Sequence, residues 1–419
     1  MSSAPVHKTR SALISGASIA GPTLAYWLDR YGFDVTVVER ASAVRSGGYP
    51  IDVRGTAIQA IKRMGLLPQV KAAHIASRAL SFVDAEGRTI GTVPLYDCAG
   101  SETSDVELPR GELTTLLYGL TENSTVKYRF GDSIEMMRDD GTGVDVRFMS
   151  GERHRFDVVI GADGLHSNTR RLIFGAETPF NHYLGYTFNL FSMPNVLGLS
   201  HSAIVYSEAG RTAGAYAVRD SSDLFVFLIF ATETPPFGVH PDRSEQIRRT
   251  AAVFADGGWE VPRLLEGLQK ADDLFFDTVS QIRMPDWSKG RVALVGDAAF
   301  APSFRSGQGT SLALVGAYVL SGELAAHDNP TAAFAAYERI MRPFVDANQA
   351  LAIKASGNFL LPRTQEELDA RNRMLGSFEP NRAGADTGGH SQAAHSALTL
   401  PDYRYLERNG SDRPSPGGD

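Results

Sequence analysis

The stretch "ALISGASIAGPTLAYWLDRYGFDVTVVER", Ala12 to Arg40, decides how the rest of the chain is read. Ala12 to Ser15 predicts a short buried strand. Leu24, Leu28 and Tyr31 then recur at helical spacing until Gly32 offers a C-cap, and Phe33 to Val38 predicts a second strand. The unit is β-turn-α-β, with Gly16, Ser18 and Gly21 where a dinucleotide-binding loop carries its three glycines. Serine replaces the middle glycine. It is small enough to let the backbone approach a pyrophosphate, whose charge would rest on the N–H groups of Ser18, Ile19 and Ala20 at the helix start. Pro22 suits that first turn, since its missing N–H would be unpaired there anyway. Glu39 closes the second strand, where a carboxylate accepts from a ribose diol and repels a 2′-phosphate. Taken alone, the pattern also reads as a structural tight turn. It leaves NAD and FAD equally open, because both carry the adenosine diphosphate that this element holds.

Composition narrows the classes. The chain has 419 residues, long enough for two domains, and 43% hydrophobic content for a sizeable core. Its 41 basic and 48 acidic residues leave a net charge of −7, which argues against nucleic acid or an anionic membrane as partner. The single cysteine, Cys98, excludes an internal disulfide framework and a cysteine-based metal site, and no metal site is expected. The polar start "MSSAPVHKTR" has no secretory apolar region, and no window is expected to reach a membrane span, so a soluble cytoplasmic protein is expected. From Asn381 the chain is rich in Gly, Ser, Asp and Pro and is expected to be mostly flexible, apart from a docked piece around "LTLPDYRYL".

Between the first unit and Asp157, "GTAIQAIKRMGLLPQVKAA" and "RGELTTLLYGL" read as helical, and "ALSFVDAEGRTIGTV" as a hairpin turning at Glu86-Gly87. From Gly175 to Arg283 β-rich runs alternate with the helix "RSEQIRRTAAVFADG", and no nucleotide-type glycine motif occurs. That pattern predicts an antiparallel sheet laid over a ligand. "GRVALVGDAAFAPS" returns to the buried-strand style. The expected fold is α/β: a discontinuous Rossmann-like nucleotide domain, residues 1–174 and 286–345, with an inserted β-rich substrate domain, residues 175–285. A C-terminal helix is placed at 346–380 and a tail at 381–419.

Two further motifs bear on the cofactor. "DVVIGADGLHSNTRRLIF" sets a buried strand, Val158 to Ile160, before Gly161, Ala162, Asp163 and Gly164, with Arg170 and Arg171 following as phosphate ligands. Any single Asp-Gly pair also reads as a plain turn. In "RVALVGDAAFAPSFRSGQGTSLALVGAYVLSGEL", the strand Val292 to Val295 ends at Gly296-Asp297, and Gly307, Gln308 and Gly309 open a helix. Free N–H groups and positive dipole at that helix start suit the N1–C2=O edge of a flavin, and Asp297 suits a ribityl hydroxyl.

These three motifs in this order resemble the single-component FAD-dependent aromatic hydroxylases of the p-hydroxybenzoate hydroxylase type. Within that family the chain is most similar to the tetracycline-modifying and polyketide-tailoring branch, in which a C-terminal helix bridges the two domains. The resemblance implies FAD as cofactor, NADPH or NADH as co-substrate, and hydroxylation of an aromatic or polycyclic, natural-product-like substrate through a flavin C4a-hydroperoxide. It implies that Gly16, Ser18 and Gly21 face the pyrophosphate, Glu39 and Arg40 the adenosine, and that Arg110 reaches FAD. By the same resemblance Asp163 lies near the pyrophosphate, Asp297 binds ribityl and phosphate groups, Gly307 to Gly309 lie under the isoalloxazine, and Asp52 borders the flavin, with Gly47-Gly48 permitting it to swing.

The chain departs from the family where a histidine is common, at Phe300, and where a Pro-Pro pair lines the oxygen side, at Ser303-Phe304 with Arg305 beyond. Those departures keep a second reading open, a cyclase of [4+2] type that holds FAD as a structural wall. The substrate pocket is expected to draw on Phe188, Tyr206, Tyr216, Phe227 and Phe304, with Phe191, Phe225 and Phe230 beside them. No catalytic base is assigned; His182, His201 and His240 are the histidines of that lobe. The partner is a small molecule, and the chain a monomer or homodimer.

Overall fold

The computed structural model describes residues 9–44, 48–94, 105–219, 221–233, 241–353, 357–377 and 389–407. Cys98, Gly47 and His240 lie outside them. The opening unit is β1 (Ser11–Ser15), α1 (Ala20–Arg30) and β2 (Asp34–Glu39). β1 sits inside a six-stranded sheet, parallel to β2 on one side and to Val158–Gly161 on the other. Flanked on both edges and covered on both faces, Ala12, Leu13 and Ile14 are all fully buried, which is why the strand reads as a continuous apolar run. Val292–Leu294 pairs in parallel with Val158–Gly161, so the late segment closes the early sheet.

A seven-stranded sheet forms the second layer. It runs Phe275–Ile282, Asn181–Pro194, Asp223–Ala231, Arg211–Ala217, Ser202–Glu208, Ala79–Val83, Thr89–Pro94. The last two strands correct the expectation that the 79–93 hairpin belongs to the nucleotide portion. A two-stranded hairpin is marginal by itself in water. This one docks in parallel on Ser202–Glu208, with Phe82 opposite Val205 and fully buried. One face of the sheet packs on the helices Arg243–Phe254 and Val261–Lys270, with Phe191, Tyr206, Leu228 and Phe230 against Phe254, Leu264 and Leu268. The opposite face carries Phe188, Tyr216, Phe225 and Phe227, all only half-buried; Phe188 lines a cleft, while Phe227 packs with Leu361, Leu375 and Phe359 of the C-terminal part.

Two expectations for the C-terminal part are corrected. The helix Gly309–Ala326 is long and apolar enough to cross a membrane by length and composition, although no such window was expected; it is buried as a core helix. The single helix placed at 346–380 does not form. Pro330–Leu351 is one helix, and Gln365–Gly376 starts afresh where the Thr364 side chain accepts from the Glu367 backbone N–H. The tail docks over Leu398 to Leu406. Leu400 and Tyr403 are buried, Thr56 Oγ1 donates to the Leu398 carbonyl at 2.7 Å, and the Tyr403 hydroxyl bonds Glu323.

Candidate functional site

A cleft of about 700 Å³ runs from Glu39 and Arg40 past Gly16, Ser18, Arg110, Asp163 and Asp297 to Phe188 and Phe304. It lies outside the carboxyl ends of the parallel strands, where open α/β sheets bind ligands. The loop after β1 shows what its glycines clear room for. A Cβ on Gly16 would stand 2.4 Å from the Ala162 carbonyl oxygen, and one on Gly21 only 1.9 Å from the Gly16 carbonyl oxygen. The glycines therefore let strand, turn and helix touch by their backbones. Glu39 holds the loop's outer side, its two oxygens accepting from the N–H groups of Ala17 and Ala41 at 2.8 Å each. Ser18 is more than a small filler. Its hydroxyl accepts from Arg110 Nη2 at 2.9 Å, so the residue in the middle-glycine place steers the arginine over the loop.

The second motif works differently from its expected ligand role. Asp163 Oδ2 accepts from the Thr169 N–H and hydroxyl, each at 2.8 Å, and Oδ1 from Ser167, so this carboxylate builds the loop while lining the cleft. Arg170 is corrected as a phosphate ligand. It is 1% exposed and donates to the carbonyls of Ala298 (2.9 Å) and Leu165 (2.6 Å) and to Glu177 Oε2 (2.6 Å). Arg171 lies on the cleft wall and bonds Asn168 Oδ1 at 2.6 Å.

His166, which no sequence motif singled out, joins the two layers. Its imidazole lies 3.1 Å from Asp277 on the large sheet and 3.1 Å from Glu177 on the nucleotide side. Hydrogen bonds that the imidazolium donates to Asp277 and then to Glu177 raise its pKa to about 10. A raised value means that the clamp's stabilisation is complete below the ordinary histidine pKa near 6.5 and is lost as pH rises through about 10. The difference in melting temperature between wild type and His166→Gln is accordingly expected to be largest at pH 6 and to shrink steadily toward pH 10.

At the third motif Gly296, at φ +64°, turns the chain so that Asp297 opens a short helix. Asp297 keeps exposed surface inside the cleft. Burial of its surroundings raises its pKa, while Arg110 and then Arg170 pull it down. The loop beyond bends through Ser303, at φ +73°, and Gly307, at φ +64°, into the helix Gly309–Ala326. Gln308 is fully buried, with Oε1 lacking a hydrogen-bond partner among the described residues. Asp52 stands over this loop, its Oδ2 only 3.4 Å from where a Cβ of Gly307 would be, and pairs with Arg54 at 3.0 Å. Gly48, at φ +127°, faces the Arg110 side chain.

The substrate-pocket residues divide by sheet face. Phe188 lines the cleft and meets the Phe304 ring at 5.0 Å, tilted by 44°, and Tyr216 and Phe227 share its face. Tyr206 is corrected. It points to the helix-covered face, packs on Trp259 and bonds Glu208, as Phe191 and Phe230 also belong to that core. Phe300 packs on Trp287 at 4.7 Å in the core, so the departure there does not touch the cleft. Arg305 lies over the Tyr186 ring at 5.6 Å. His182 is exposed, and His201 Nδ1 meets the Ile75 carbonyl at 3.0 Å; neither lines the cleft.

An FAD-binding-domain family model matches residues 9–351. A flavin-dependent monooxygenase from an unknown prokaryotic organism is 36% identical over 399 residues, 94% of this chain and 99% of that protein. The chain belongs to the FAD-binding flavoprotein monooxygenases. An uncharacterized protein of Mycobacterium tuberculosis (strain ATCC 25618 / H37Rv), Rv1260, is 43% identical over 345 residues, 82% of this chain and 92% of that protein. The crystal structure of tetracycline destructase Tet(55) matches with a TM-score of 0.80 at 36% identity, over 94% of this chain and 99% of that one.

The monooxygenase's own geometry fits FAD. Two glycines that tolerate no Cβ bring the backbone of the loop after β1 close together beside the cleft, and Asp297 is a carboxylate with its face open to that cleft. Asp297→Ala is expected to weaken FAD binding about ten- to a hundredfold, the loss of one charge-assisted hydrogen bond of about 1.5–3 kcal/mol. Titration of the apoprotein with FAD, followed by flavin fluorescence, measures it. The cyclase reading is not favoured, since relatives at this level of identity are named monooxygenases.

Proposed function

We propose that this monooxygenase hydroxylates a polycyclic substrate of the tetracycline kind, with NADPH or NADH as reductant, in the cytoplasm. One observation carries the reading. The face of the large sheet bearing Phe188, Tyr216, Phe225 and Phe227 leaves these four rings half-buried, and at Phe188 it lines the cleft beside Phe304. An apolar wall of that breadth suits fused rings more than a small polar molecule. The 36% identity with Tet(55) supports the same substrate class.

FAD, when bound, supplies the oxygen activation and accepts the hydride. The chain's residues hold and shape the site. Ser18 and Glu39 fix the loop; Arg110 and Asp297 would take the phosphate and ribityl groups, and Gly307 to Gly309 would offer backbone N–H groups to the ring system. Phe188 and Phe304 form an aromatic contact at the cleft's far end that excludes water from the reacting centre. Incubation with tetracycline and NADPH under labelled oxygen tests the reading: one labelled oxygen in the product is expected, and NADPH consumption that depends on tetracycline. Turnover without oxygen or reductant would overturn it.

A further inference from the structure

The two-stranded ribbon Pro50–Val53 and Val106–Pro109 places Asp52 directly opposite Glu107. Like charges set across from each other destabilise a sheet, and packing gives no reason for the pair. Asp52 stands over the flavin loop at Gly307, while Glu107 lies close enough to Tyr216, on the aromatic wall, to affect its ionisation. The pair thus lies between the loop at Gly307 and Tyr216 of the large sheet. Glu107 Oε2 is buried with no hydrogen-bond partner among the described residues, an acceptor waiting for a donor. The groups around it are Asp52 on the facing strand, Tyr49 just before that strand and Arg54 just after it, His74 and Ser77 on the preceding segment, with Ser77 hydrogen-bonding the carboxyl, and Tyr216 on the large sheet. Arg54, one residue past the Asp52 strand, is already paired with Asp52. Asp105 and His395 stand behind Arg54 and Asp52.

An end built from carboxylates and phenol hydroxyls reads hydrogen-bond donors and repels anions. We propose that Glu107, backed by Asp52 and joined by the Tyr216 hydroxyl, reads the substrate's inner edge: it accepts a hydrogen bond from a hydroxyl or N–H of the polycycle and turns carboxylated rings away. This rests on the substrate reading above and narrows it, from polycycles in general to donor-bearing ones without a carboxylate at the leading edge. Burial, and then Asp52, lift the Glu107 carboxyl to about 7, so the repulsion of anions grows between pH 6 and pH 8.

The test uses the FAD-loaded enzyme and two probes with the same ring system, 2-naphthol and 2-naphthoate, with binding read from perturbation of the flavin absorption spectrum. Wild type is expected to bind naphthol at least tenfold tighter than naphthoate at pH 8, with the gap narrower at pH 6. Glu107→Gln is expected to close the gap to threefold or less and to remove its pH dependence, whereas Tyr216→Phe weakens naphthol severalfold and leaves naphthoate excluded. Equal binding of the probes by wild type overturns the inference without recourse to any variant. So does a gap unchanged in a folded Glu107→Gln protein. Because binding needs no turnover, the two readings fail separately: hydroxylation of tetracycline with equal probe binding sinks only this one, and selective binding without oxygen incorporation sinks only the other.

Discussion

Gly21→Ala is expected to yield a colourless, destabilised protein. The added Cβ would meet the Gly16 carbonyl oxygen at 1.9 Å, a backbone atom that cannot rotate away. Relief requires α1 to move off the end of β1, and that carries away the helix-start N–H groups meant for the pyrophosphate. Overpacking of this kind costs about 1–3 kcal/mol or more. FAD loses its anchor in the same movement, so the ratio of flavin to protein absorbance is expected to fall to near zero. Gly164→Ala is the control. Its φ of +81° strains a side chain, but nothing lies within 4 Å of the new Cβ. It is expected to cost only about 1 kcal/mol and to keep the flavin colour. If the two variants behaved alike, the close approach of the Gly16 carbonyl would not be what excludes a side chain at Gly21.

Arg170→Met is expected to lower the unfolding free energy by about 3 kcal/mol, measured by urea titration. Removing one partner of a buried ion pair leaves the other charge and its acceptors stranded, at about 3–5 kcal/mol. The lower end applies because Glu177 keeps Asn181 Nδ2 at 2.9 Å and His166 at 3.1 Å. Two backbone carbonyls, Ala298 and Leu165, also lose their donor. Since Ala298 belongs to the turn that presents Asp297, weaker FAD binding should accompany the loss of stability. Arg170→Lys is expected to recover less than half of the deficit, because an ammonium cannot span three acceptors as the planar guanidinium does. A fully stable Arg170→Met protein with impaired flavin binding would restore the phosphate role.

The cofactor loops were legible in the sequence because their requirements are local. Gly16 and Gly21 answer to atoms a few residues away or one strand over, and Gly296-Asp297 is a strand end followed at once by a helix. Glu39 was expected to serve a ribose, and its two oxygens accept instead from the Ala17 and Ala41 N–H groups, a role that no motif announces. What escaped the sequence depends on pairings that no window contains. Glu107 acquires meaning only when the ribbon sets it against Asp52, 55 positions earlier in the chain, and His166 only when Asp277 arrives from the far edge of the other sheet. Tyr206 and Tyr216 look alike in sequence. Register alone sends one to the helix-covered face and the other to the cleft, since neighbouring residues on a strand point to opposite sides. Arg170 misled because two arginines after a strand end suit phosphate as well as they suit a buried ion pair.

The hairpin that completes the large sheet has a consequence for how the chain is made. Ala79–Val83 pairs with Ser202–Glu208, which leaves the ribosome about 120 residues later, on the order of ten seconds at about 5–20 residues per second. During that interval Phe82 and Val83 have no sheet to enter, and an apolar strand edge stands open to any other nascent chain. Synthesis, rather than the finished molecule, is therefore where this protein is most exposed to aggregation. Slowing translation between the two segments should lower soluble yield, whereas a chaperone that shields extended apolar segments should raise it.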